Sequence, residues 1–111
     1  EYLHTAFPNA TIVQAYGASE IEETFVGMPC VPMSAREPLS VYHPRSNHLL
    51  EIIDPDTGAV LDPKKGTEGE LLVTAYPGEP SAFPMIRYRI GDRIRVVEES
   101  CGHGSWSFEV L

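Results

Sequence analysis

The run Glu70-Leu71-Leu72-Val73-Thr74-Ala75-Tyr76 decides the reading of the fold. Turn-forming residues bound it on both sides, with Pro63-Lys64-Lys65-Gly66-Thr67-Glu68-Gly69 before it and a Pro/Gly loop from Pro77 to Pro84 after it. An apolar run this short, between such flanks, is predicted to be a strand. Upstream, Leu49-Leu50-Glu51-Ile52-Ile53 is a second strand. Asp54-Pro55-Asp56-Thr57-Gly58 is the turn that follows it, and Ala59 to Leu61 lead back. This turn opens like a calcium loop, but its glycine falls too early and Lys65 stands where a bidentate Glu is needed.

Downstream, Met85 to Ile90, Arg93 to Glu98 and Trp106 to Val110 read as three further strands. In the last of them Trp106 and Phe108 alternate with Ser107 and Glu109, the pattern of core anchors on one face. Near the start, Thr11 to Ala15 read as a short strand closed by Tyr16-Gly17. Between Ile21 and Arg45 there is no clean period, and Pro29, Pro32, Pro38 and Pro44 interrupt the chain; we expect irregular structure with one short strand near Leu39 to Tyr42. The expected architecture is mixed α/β but mostly β, a small antiparallel or distorted-barrel sheet following a strand–turn motif. Three regions make up the chain, residues 1–20, 21–47 and the β-rich 48–111.

With 111 residues the chain is one domain, and 42% hydrophobic content is enough for a buried core. Sixteen acidic against eight basic residues give a net charge of −8, which excludes a dedicated nucleic-acid or anionic-membrane surface. No apolar run approaches the ~20 residues of a membrane span. Two cysteines, Cys30 and Cys101, are too few to staple a secreted scaffold, so a reduced, cytoplasmic setting is expected. Cys101 and His103, with Cys30, His43 and His48, match no standard zinc spacing. The chain lacks an initiator Met and ends on the strand-like run Trp106–Leu111, so we expect a piece of a longer protein.

Two stretches carry chemistry. In Gln14-Ala15-Tyr16-Gly17-Ala18-Ser19-Glu20 a strand breaks at Gly17 into a polar tip, where Ser19 offers a hydroxyl and Glu20 a hard oxygen ligand for Mg²⁺. Alone, it also reads as a strand end with a capping Ser and a solvated Glu. In Pro84-Met85-Ile86-Arg87-Tyr88-Arg89-Ile90-Gly91-Asp92, Arg87 and Arg89 share one face of a strand that Gly91-Asp92 then ends, presenting a carboxylate able to accept both hydrogens of a cis-diol. Alone, it reads as a hairpin turn. Arg87, Arg89, Arg93 and Arg95 form the one basic cluster, read as a solvated or intramolecularly paired face with Arg89 the best phosphate-binding exception.

Taken in this order, the two stretches resemble the Tyr-Gly-x-Thr/Ser-Glu and Tyr-Arg-x-Gly-Asp signatures of the adenylate-forming (acyl-activating) superfamily. The segment Glu51–Gly58 followed by Gly66-Thr67-Glu68-Gly69-Glu70-Leu71 is similar to that superfamily's usual link. The wording is closest to the phenylacetate–CoA ligase branch and also similar to the acyl-acid amido synthetases, and the likeness covers nearly the whole chain. It implies part of an ATP/AMP site of a ligase that makes an acyl-adenylate from a small carboxylic acid, aromatic in that branch, and passes the acyl group to CoA. Tyr16 would stack on adenine with Gln14, Ala15 and Gly17 beside it. Ser19 would bond the α-phosphate or the substrate carboxylate, and Glu20 would hold Mg²⁺. Asp92 would bind the ribose hydroxyls, with Arg89 near the phosphates. The family's phosphate loop and catalytic Lys are not found in these residues, which implies missing N- and C-terminal parts of the same enzyme. A non-catalytic binding protein derived from this fold is the reading from another class.

Overall fold

The computed structural model describes residues 2–17, 26–29, 41–45, 48–75, 86–102 and 104–111. They form one five-residue helix, α1 (Tyr2–Ala6), and seven strands. The strands are β1 (Gly27–Pro29), β2 (Val41–Pro44), β3 (His48–Ile53), β4 (Val60–Leu61), β5 (Glu68–Ala75), β6 (Tyr88–Glu98) and β7 (Ser107–Val110). Every pairing is antiparallel, in the order β1-β2-β7-β6-β5-β3-β4. Of the expected alternatives, the described residues therefore show the mostly β, antiparallel one: helix is almost absent, and the sheet is open rather than a closed barrel. None of their helices is long and apolar enough to cross a membrane.

The open sheet is nevertheless strongly curled, and chain length requires it. β2 and β3 are separated by β7, β6 and β5 in the sheet. Laid flat, those four gaps would span about 19 Å. His48 follows Pro44 by only four positions, a reach of at most about 14 Å. Curling brings β2 and β3 into contact and gathers one core from the facing side chains. That core holds Val26, Tyr42, Leu50, Ile52, Leu71, Val73, Ile94, Val96 and Phe108, all buried.

Alternation along each strand follows from this one-sided burial. In β5, Leu71 and Val73 point into the core, paired with Ile52 and Leu50 of β3. Leu72 faces the other side yet is buried too. That outer face is covered by ion pairs: Arg87 with Glu51, Arg89 with Glu70, Arg93 and Arg95 with Glu68, and Arg95 also with Glu109. Of the two readings of the arginine cluster, solvated or paired, the structure therefore shows the paired face. The turn over Asp54–Gly58 is as read, with the Asp54 carboxylate accepting from the backbone N–H of Asp56 at 2.8 Å and of Thr57 at 3.1 Å. Those bonds, from Thr57 and then Asp56, hold its carboxyl below the usual range.

Four expectations need correction. The strand expected over Thr11–Ala15 shrinks to a single antiparallel bridge, Tyr16 to Gly27, because the preceding residues find no ladder among the described residues. Within the 21–47 region the one short strand expected near Leu39 to Tyr42 is found as β2, but an unexpected strand, β1, pairs with it despite the prolines. Gly91-Asp92 does not end a strand. The two strands expected from Met85 to Glu98 are one, β6, running without a break from Tyr88. An irregularity against β5 absorbs the extra length where Glu70 pairs Arg93 but Leu72 pairs Arg89, and Gly91 takes φ +93° there. Arg87 precedes β6 with φ +49° rather than sharing a regular strand face with Arg89.

Glu70 makes the acid side of stability testable. It is nearly buried, and two bonds from the Arg89 guanidinium, one of them 3.0 Å from Nε, hold its carboxyl below the usual carboxylate range despite its burial. A carboxyl depressed in the folded state binds its proton less readily there than in the unfolded chain, so its contribution is complete above the unfolded value and lost as pH falls through the folded one. Resistance to urea is expected to decline as pH drops below about 4. Glu70→Gln should flatten that decline, and an identical pH profile for the variant would refute the assignment.

Candidate functional site

The structure joins the two chemistry-bearing stretches. The Tyr16 hydroxyl donates a hydrogen bond to Oδ2 of Asp92, across 76 positions of sequence. Each partner is brought there by a different device. Tyr16 is fixed by its bridge to β1: its N–H donates to Gly27 O at 2.9 Å, and its carbonyl accepts from Val26 and Gly27 at 2.8 and 3.0 Å. Asp92 is carried by β6 on the side of Ile90 and Ile94, which both belong to or pack against the core. The irregularity at Gly91 leaves it at the margin of that core, half-buried, rather than in a solvent-facing turn.

An aromatic cluster sets the Tyr16 ring. Its centroid lies 5.7 Å from Tyr42 and 6.0 Å from Phe108, the latter edge-on at 84°. Phe108 in turn touches Tyr42 at 5.9 Å and Trp106 at 5.4 Å. These offset and edge arrangements are those that aromatic quadrupoles prefer. Burial pushes the Tyr42 phenol above its ordinary range. Gly27 makes the convergence sterically possible. A Cβ there would stand 3.0 Å from Tyr42 Cβ, 3.2 Å from Phe108 Cζ and 3.5 Å from Tyr16 Cβ. Sequence reasoning missed Gly27, since its role exists only once β1, β2, β7 and Tyr16 have met.

Of the other expected site residues, Gln14 and Gly17 flank Tyr16 and are exposed, while Ala15 is half-buried. Ser19 and Glu20 lie outside the described residues. Arg89 is not brought to the Tyr16–Asp92 pair; it is on the outer face, held by Glu70. Two open clefts also lie away from the pair. One of 160 Å³ is lined by Leu50, Ile52, Leu61 and Trp106 among others, and one of 410 Å³ by Asp62, Pro63, Lys64 and Glu99. Among the described residues no group of three or more His, Cys, Asp or Glu side chains stands ready to hold a metal ion. Compared with known proteins, the chain matches no family model and no curated protein.

What the pair can do chemically is limited and specific. A carboxylate at the end of a phenol's reach is an acceptor for one donor now and for two vicinal hydroxyls of a ligand in its place. The half-buried Tyr16 ring beside it offers an aromatic surface to a planar base.

Proposed function

We propose that this chain forms part of the nucleotide site of an ATP-dependent carboxylate-activating ligase, which makes an acyl-adenylate and transfers the acyl group to CoA. The observation that supports it is the Tyr16–Asp92 hydrogen bond, because it unites the two sequence signatures on which the resemblance rests. In this reading Asp92 accepts the ribose hydroxyls, and Tyr16 exchanges its carboxylate partner for the ligand while its ring stacks on the base. Gln14, Ala15 and Gly17 border the base by their adjacency to Tyr16. Ser19 holds the α-phosphate or the substrate carboxylate. Glu20 is the residue that would hold Mg²⁺, which when bound neutralises charge on the phosphates. Arg89, engaged by Glu70, is left out of the site.

The chemistry asked of these residues is positioning. A carboxylic acid attacks the α-phosphorus, pyrophosphate leaves, and the thiol of CoA then displaces AMP from the mixed anhydride. Holding the nucleotide by base and ribose fixes the line of attack, and misplacement by about 1 Å costs on the order of 10²-fold. The test is acid-dependent pyrophosphate release by the whole protein across a panel of aliphatic and aromatic carboxylic acids. Release above background with at least one acid, followed by AMP formation when CoA is added, is expected. No release with any acid overturns the proposal.

A further inference from the structure

A second pair of sequence-distant side chains meets on the other side of β2 from Tyr42. The Sγ of Cys101, in the turn between β6 and β7, lies 2.9 Å from Nε2 of His43 in β2. His43 is oriented by a third group, its Nδ1 standing 3.1 Å from the carbonyl oxygen of Trp106. A carbonyl only accepts, so Nδ1 carries the proton of the neutral ring and Nε2 presents its lone pair to the thiol. Gly102 and Gly104, at φ +88° and +77°, give the turn the left-handed steps that return Cys101 toward β2. Cys101 is a free thiol in a partly buried residue.

We propose that Cys101 is a nucleophilic modification site, activated by His43, that takes low-molecular-weight disulfides to form a mixed disulfide. A thiol within reach of a base that is itself oriented by a third group is the arrangement that activates sulfur nucleophiles. As the sulfur attacks, the Sγ–H proton passes to Nε2 of His43. A new S–S bond forms to one sulfur of the small disulfide, the original S–S bond breaks, and the departing thiolate takes the proton from the imidazolium. One protein thiol and one disulfide become one mixed disulfide and one small thiol, with no other oxidant required. Nothing in this chemistry depends on the nucleotide reading, so either can fail without the other.

The experiment exposes the whole protein at pH 7 to oxidised glutathione and follows, by mass, the adduct on the tryptic peptide that begins at Val96. We expect the native protein to react at Cys101 at least roughly tenfold faster than the same peptide in the urea-unfolded chain, a modest share of the ~10²–10⁴ that a positioned base supplies. His43→Gln, which keeps bulk and hydrogen bonding but removes the base, should lower the native rate by roughly tenfold and leave the rate at Cys30 unchanged. A native rate equal to or below the unfolded one overturns the proposal, including one that rises when a chelator is added, as a metal-held thiolate would. Because that comparison uses the unaltered protein, it stands even where His43→Gln fails to fold. A folded His43→Gln variant that reacts at the native rate overturns it as well.

Discussion

Truncating Phe108 to alanine is expected to lower the unfolding free energy by about 3–5 kcal/mol. The ring is completely buried and sits where three segments converge: β2 through Tyr42, the residue just before its own strand through Trp106, and the N-terminal segment through Tyr16. Removing it takes away apolar contact and leaves a void between side chains that are themselves tethered to strands and cannot collapse inward freely. Each lost aromatic pair adds about 0.5–1.5 kcal/mol to what area alone accounts for. Since domains of this size are stable by about 5–15 kcal/mol, such a loss is a large share of the whole. Urea unfolding followed by the fluorescence of Trp106, the one tryptophan of the chain, measures it. Val110→Ala is the control: its side chain is more than a third exposed on the same strand, and its effect should stay within about 0.5 kcal/mol. If Phe108→Ala costs no more than the control, the curled sheet does not close on this ring and the account of the core is wrong.

That core was partly legible in the sequence, for a reason that particular residues make plain. Leu71 to Val73 and Leu50 to Ile53 are short apolar runs between turn residues, and a run of that kind carries its own boundaries. The Asp54–Gly58 turn is local chemistry, fixed by hydrogen bonds that span no more than five positions. Trp106 and Phe108 announced themselves by alternation. What stayed hidden depends on partners far along the chain. β1 is three residues containing a glycine and a proline, and only its pairing with β2 makes it a strand. Gly91-Asp92 has the composition of a turn, yet pairing with β5 at Arg89 before it and Arg93 after it carries the strand through, so the glycine serves an irregularity instead. The curl of the sheet follows from strand order, which no local pattern encodes.

The candidate site divides the same way. Tyr16 and Asp92 were named through resemblance to a family's signatures, and the residues themselves gave only their chemistry: an aromatic ring, and a carboxylate after a glycine. Their contact is a property of the fold, since it needs the Tyr16–Gly27 bridge, the aromatic cluster and the position of β6 together. Gly27 and His43 left no usable signal in the sequence, because a glycine in a proline-rich stretch and a single histidine each have many commoner explanations. Arg89 is the opposite case. Within the basic cluster along β6 it is the one residue whose reading points to a phosphate contact, and Glu70 on the neighbouring strand holds it instead.

Asp92→Ala is expected to weaken ATP binding by the whole protein by about 3 kcal/mol or more, equivalent to more than about a hundredfold. The size follows from the bonds at stake: the proposal gives the carboxylate two ribose hydroxyls as donors, and each bond to a charged acceptor is worth about 1.5–3 kcal/mol. The effect on folding should be much smaller. Among the described residues Asp92 accepts one hydrogen bond, from Tyr16, and both residues are half-buried, so water replaces the lost partner at a cost near 0.5–1.5 kcal/mol. Asp92→Asn should be nearly as harmful to binding as alanine, because an amide has one acceptor oxygen where the carboxylate has two. Tyr16→Phe separates the roles. It keeps the ring and its contacts with Tyr42 and Phe108 but removes the hydroxyl that occupies Asp92 before nucleotide arrives. ATP affinity should then be preserved or improved, since the ribose no longer displaces a resident donor. Calorimetric titration of the three variants with ATP, alongside their urea midpoints, makes the comparison. Affinity for ATP within about twofold of the parent in Asp92→Ala, an effect below about 0.4 kcal/mol, would remove Asp92 from the nucleotide site and with it the observation on which the proposed function stands.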